Sequence, residues 1–155
     1  MNEESITRYI SENYAGVDVV VASQQNGAPE AAWGDSFFIY DPERNLPENH
    51  RFPFATIVVK DYVGFDEASN LNRPGVFRLN IGVSKETFRS LFRDESPAPR
   101  DSSVLDQLIP HPVYASQHWI SVLNPSEATF ETVQPLLKEA YEIAVKRQSN
   151  RSKNV

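Results

Sequence analysis

Val76-Phe77-Arg78-Leu79-Asn80-Ile81-Gly82-Val83 alternates in the way a half-buried β-strand does. Successive strand side chains point to opposite faces, so Phe77, Leu79, Ile81 and Val83 share an apolar face and Arg78 and Asn80 lie on the other. Such a sheet needs helices over its apolar side, and both ends of the chain offer one. Residues 3–14 place Ile6, Tyr9, Ile10 and Tyr14 at helical spacing, with an acidic first turn and a stop at Gly16. Near the C-terminus Val133, Leu136, Leu137, Ala140, Tyr141 and Ala144 repeat at i, i+3, i+4, which predicts a helix from Thr129 or Thr132 to Arg147. Pro135 then belongs to its first turns, where a missing N–H is tolerated, and residues 148–155 form a frayed tail.

Further strands are expected at residues 17–23, 33–40, 54–61 and 117–124 from their β-branched and aromatic content. Long polar loops fill residues 41–53 and 62–75, the second closing on Arg73-Pro74-Gly75-Val76, a sequence suited to a type II turn. Ser84 caps a short helix whose apolar side is Thr87, Phe88, Leu91 and Phe92, while Lys85, Arg89 and Arg93 recur every four residues along another side. Residues 94–103, rich in proline, serine and charge, predict a mobile internal segment, and Val104, Leu105, Leu108 and Ile109 a short helical turn. The expected fold is α+β: one two-layer domain over residues 1–155 with an ordered core at 3–147. Its mainly antiparallel five-stranded sheet is packed by the N- and C-terminal helices on one face and partly open on the other.

Composition narrows the function classes. The chain has no cysteine, which removes disulfides, cysteine nucleophiles and thiolate metal sites and agrees with a reducing, cytoplasmic setting. Its start is acidic where an export signal would be basic and then apolar, and no apolar run approaches the roughly 20 residues of a membrane span. Net charge is -6, and residues 1–50 hold nine acidic and two basic side chains, against the basic face expected of a duplex-binding protein. There is no Gly-x-Ser-x-Gly elbow and no glycine-rich phosphate loop, so the sequence calls for no cofactor. The oligomeric expectation is a monomer or homodimer.

Binding chemistry is densest between Pro110 and Pro125, where two of the three histidines and one of the two tryptophans fall. His111 and His118 are seven residues apart and His111 is held out of a helix by Pro110 and Pro112, so no metal-ligand spacing results. If Ile120 and Val122 face the core, His118 shares that side as a satisfied, partly buried histidine. Arg78 and Asn80, on the polar strand face, offer a fixed guanidinium able to fork onto a carboxylate or phosphate, or an ion pair with Asp61 or Asp35 on neighbouring strands. Trp33, Tyr114 and Trp119 on the same face would give the mixed aromatic and polar lining of a small-molecule pocket. Glu30, Asp35 and Asp61 read as solvated surface carboxylates rather than as an acid and base pair.

The order of elements and four phrases resemble a bacterial family of unknown function. They are residues 53–58 (PFATIV), the strand at 76–83, Pro110-His111-Pro112-Val113-Tyr114 with Gln117-His118-Trp119, and Pro135-Leu136-Leu137-Lys138-Glu139-Ala140-Tyr141. The resemblance runs from Ile6 to Arg147 and implies no activity or catalytic residue. More distantly the chain is similar to the YjbR/MmcQ-like fold, with residues 79–92, Trp119 and Tyr141 in place of its strand-helix, tryptophan strand and C-terminal helix. That likeness implies an α+β domain and nucleic-acid binding.

Three functions are thereby expected in order. The first is a non-enzymatic module holding a small polar or anionic ligand against Arg78, Asn80, His111, Tyr114, His118, Trp119 and Trp33. The second is nucleic-acid binding of the YjbR/MmcQ type through Lys85, Arg89 and Arg93, and the third is a hydrolase or lyase with His111 or His118 as general base.

Overall fold

The computed structural model describes residues 1–93 and 100–153. The predicted mobile segment at 94–103 therefore lies largely outside the described residues, as do the last two residues of the predicted frayed tail. Among the described residues six strands form one open antiparallel sheet: β1 (Val17–Val21), β2 (Ser36–Tyr40), β3 (Ala55–Val58), β4 (Arg78–Gly82), β5 (Leu108–Pro110) and β6 (Trp119–Leu123). Their order across the sheet is β1-β2-β3-β4-β6-β5. The α+β class and the antiparallel sheet between terminal helices are as expected; the sixth strand is not. Leu108–Pro110 pairs with β6, Ile109 lying opposite Ser121, where a helical turn was expected. Three apolar residues before a proline carry no periodicity, and only the neighbouring strand decides between turn and ladder.

The described residues also form three α-helices: α1 (Glu3–Asn13), α2 (Lys85–Phe92) and α3 (Glu127–Lys153). α1 begins with a capping box between Asn2 and Ser5. The Ser84 hydroxyl accepts the Thr87 N–H to cap α2, and Glu139 of α3 accepts from the Ser84 N–H and the Thr87 hydroxyl, tying the two helices together. α3 is longer than the apolar repeat predicts, continuing to Lys153 through the stretch read as frayed. Pro135 sits well inside it rather than in its first turns. The ring removes the hydrogen bond to the Glu131 carbonyl, on a stretch where both Glu131 and Pro135 are exposed.

Ile6, Ile10, Phe38, Ile57, Leu79, Ile81, Ile120, Val122, Val133 and Leu137 make a fully buried core between helices and sheet. The Tyr141 ring packs against Tyr14, Tyr40 and Phe54 while its hydroxyl donates to the Ala15 carbonyl, which clamps α3 onto the sheet. Among the described residues no helix is long and apolar enough to cross a membrane.

The second sheet face is less open than its sequence pattern predicts. The loop at 62–75 folds over it, and Leu71 joins Val58, Ile109 and Leu123 in a small second core. Val76 N–H donates to the Arg73 carbonyl and Gly75 has φ 73°, the left-handed residue of the expected turn. What remains uncovered is the part of β2, β3, β4 and β6 that bears Phe37, Thr56, Asn80 and Trp119.

Candidate functional site

Above that uncovered area lies a cleft of about 590 Å³. Its floor is set by strand register. Thr56, Asn80 and Ser121 stand directly opposite one another on β3, β4 and β6. Asn80 Nδ2 donates to Thr56 Oγ1 (3.0 Å), and Asn80 Oδ1 accepts from Ser121 Oγ (2.7 Å) and Arg78 Nε (2.8 Å). Asn80 thus spends most of its polar capacity on holding the floor together.

Arg78 is wholly buried. Its guanidinium forks onto Asp66, Nη1 to Oδ1 at 3.0 Å and Nη2 to Oδ2 at 2.6 Å, and Nη1 also donates to Ser69 Oγ at 2.9 Å. The carboxylate expected from a ligand or a neighbouring strand is therefore supplied by the loop at 62–75. With Nε on Asn80, four of the five guanidinium N–H groups are used, and the fifth, on Nη2, faces His111 Nε2 at 3.4 Å.

His111 follows β5 directly. Its N–H donates to the Trp119 carbonyl, and the flanking prolines keep the chain extended around it. Its Nδ1 accepts two backbone N–H groups, those of Val113 and Tyr114, each at 3.0 Å. A ring nitrogen that accepts two donors carries no proton, so the proton resides on Nε2. Burial, helped by the Arg78 charge, pushes the imidazole pKa down to about 3. His111 is consequently a neutral donor at physiological pH, and it cannot take up a proton without losing both backbone bonds. Its Nε2 and the Nη2 that carries the last Arg78 N–H lie 3.4 Å apart, and as two donors they do not satisfy each other.

Aromatic walls rise from this floor. Trp119 lies over Gly82, the residue opposite it on β4; a Cβ there would come within 3.1 Å of the indole. Tyr114 packs on His111 with ring centroids 4.9 Å apart and meets Phe65 at 6.1 Å. Phe52 and Phe65, more than half exposed, stand at the rim. Tyr62, another wall residue, donates its hydroxyl to Asp35, which also accepts the Val59 N–H at 2.9 Å. Asp35 is fully buried, not the solvated carboxylate read from the sequence; burial raises its pKa and that of Tyr62.

Arg78, Asn80, His111, Tyr114 and Trp119 thus come together at one cleft. Trp33 and His118 do not. Trp33 closes a 3-10 turn before β2 and gives its indole N–H to the Ala28 carbonyl. The strand expected at 33–40 starts only at Ser36, because Gly34 at φ 92° breaks it. His118 adopts φ 67° and turns its ring against Phe88 of α2, on the helix side of the sheet. Neither histidine is placed as a general base within the cleft. Lys85 and Arg89 are exposed on α2, and Arg93 is exposed at its C-cap.

The residues missed in the sequence include Asp66, Ser69 and Tyr62, all on one loop. Its polar composition looks like that of any connection, and only folding over the sheet gives Asp66 its partner. Among the described residues no group of three or more His, Cys, Asp or Glu side chains is placed to hold a metal ion.

Fold and site together define a small α+β domain with an aromatic-walled, donor-floored cleft on the second sheet face, reached at its rim by Arg147 of α3. The chain belongs to DUF6194, a family of unknown function, whose model matches residues 1–153. No curated protein and no solved structure matches it.

Proposed function

We propose that this protein is a non-enzymatic binding module for a small, flat, polar ligand that presents a hydrogen-bond acceptor to His111 and Arg78. One observation carries the reading: the Arg78 Nη2 and His111 Nε2 donors sit side by side, 3.4 Å apart, on buried side chains lining the cleft, and two donors do not satisfy each other. Unmet donors in such a setting are costly, and a ligand oxygen or ring nitrogen seated on the cleft side of the pair, within hydrogen-bond distance of each, would satisfy both. Phe37, Tyr114 and Trp119 give a planar body surfaces to stack on, in the common pattern of an apolar pocket with few placed polar groups. The non-enzymatic part rests on His111, whose proton is held on the nitrogen facing the cleft while its lone pair is spent on the backbone.

A nucleic-acid-binding role of the YjbR/MmcQ type has less support. Its candidate residues Lys85, Arg89 and Arg93 sit on α2 and its C-cap, and α2 packs on the helix side of the sheet, in a chain of net charge -6.

The test is a thermal-shift and tryptophan-quenching screen with planar acceptors such as indole, adenosine and riboflavin. Binding is expected to quench Trp119 and to fall at least tenfold in His111→Phe, which keeps the ring volume and removes the donor. Absence of any shift or quenching across the set would overturn the reading, as would binding that His111→Phe leaves unaltered.

A further inference from the structure

The wall of the cleft formed by Phe52 and Arg147 is shared with a second, smaller cavity of about 140 Å³, lined also by Tyr40, His50, Gln148 and Arg151. The two spaces lie on either side of the exposed Phe52 ring and the Arg147 side chain, the inner one over the His111–Arg78 floor and the outer one at the end of α3. Their chemistry differs. The inner part contains one carboxylate, Asp66, already neutralised by Arg78. No acidic side chain lines the outer part, in a protein with 21 acidic against 15 basic residues.

Arg147 and Arg151 are one helical turn apart, so their charges share a face and repel. Among the described residues neither has an ion pair, whereas Arg44, Arg51, Arg73 and Arg78 are all engaged with carboxylates or carbonyls. The negative end of the α3 dipole tempers that repulsion, but it is diffuse and does not use the guanidinium N–H groups.

We infer that the ligand is bipartite: a planar ring seated on the His111–Arg78 floor and an anionic tail, phosphate or carboxylate, reaching past Phe52 to Arg147 and Arg151. Two guanidinium groups on one helix face match the several oxygens of such a group better than any neutral substituent. The inference rests on the cleft being a ligand site and adds the chemistry of the ligand's second half.

Matched probes test it: adenosine against adenosine 5′-monophosphate, riboflavin against its 5′-phosphate, and indole against indole-3-acetate, each titrated by calorimetry and tryptophan quenching at low and moderate salt. The charged member of at least one pair is expected to bind tenfold or more tighter, with an advantage that shrinks as salt rises. The phosphate and carboxylate pairs show which anion is preferred. In the Arg147→Gln, Arg151→Gln double variant the ratio of charged to neutral affinity should fall close to one. Neutral probes that bind with no gain from a tail would overturn the bipartite ligand and leave the cleft reading standing, as would a gain that survives the double variant. If neither member of any pair binds, both inferences fall.

Discussion

At the scale of single residues, the site is organised by saturation. Arg78 and Asn80 read from the sequence as free polar groups on an open strand face, yet Asp66, Ser69, Thr56 and Ser121 use nearly all their hydrogen-bonding capacity. They form a rigid base, and His111 is the residue whose state matters most. Its pKa falls from the ordinary 6.5 to about 3 because burial and Arg78 oppose its charge. Between those values the unfolded chain binds a proton that the folded one does not, so stability present above pH 6.5 is lost as pH falls toward 3. The slope for this one group is roughly 1.4 kcal/mol per pH unit. Asp35 acts in the opposite sense: its raised pKa makes the folded state bind a proton first, which adds stability as pH falls through that value toward 3.8. Urea denaturation at pH 7, 6 and 5 is expected to show the His111 loss, and His111→Gln to show a shallower slope. Equal slopes would mean that His111 is not held neutral.

At the scale of elements, Gly82 is the clearest point of leverage. It faces Trp119 across the β4–β6 ladder, and an added Cβ would meet the indole at 3.1 and 3.2 Å, tighter than ordinary van der Waals contact. Gly82→Val therefore has to tilt the Trp119 ring into the cleft. The expected readouts are a shifted tryptophan emission and weaker quenching by planar probes, with the far-ultraviolet circular dichroism unchanged. Retention of wild-type emission and probe affinity would show that the indole is not seated on β4. The same elements show where periodicity could be read and where it failed. Alternation at 76–83 and the i, i+3, i+4 repeat in α3 are properties of one segment and were legible. β5 is three residues long, and its pairing depends on β6, so no local pattern reports it.

At the scale of the whole molecule, the loop at 62–75 converts a half-open sheet into a site. Leu71, almost fully buried against Val58, Ile109 and Leu123, pins that loop, and the pin holds Asp66 on Arg78 and Tyr62 on Asp35. Leu71→Ala is expected to lose about 2–5 kcal/mol, the usual range for a buried leucine truncated to alanine. Hydrogen exchange should quicken across residues 62–75 more than across β4. Uniform loosening of the whole sheet would assign Leu71 to the general core rather than to the loop.

The amino-acid sequence alone determined the helices at both ends, the face that each residue of β4 presents, the left-handed turn at Gly75 and the absence of cysteine chemistry. Each follows from covalent geometry or from a repeat within a few neighbouring residues. Tertiary structure alone decided that Arg78 meets Asp66, that Asp35 is buried beneath Tyr62, that Trp33 and His118 turn away, and that His111 holds its proton toward the cleft. Those outcomes depend on which loop crosses which strand, a long-range choice made by packing, and Val76 to Val83 by itself carries no record of it.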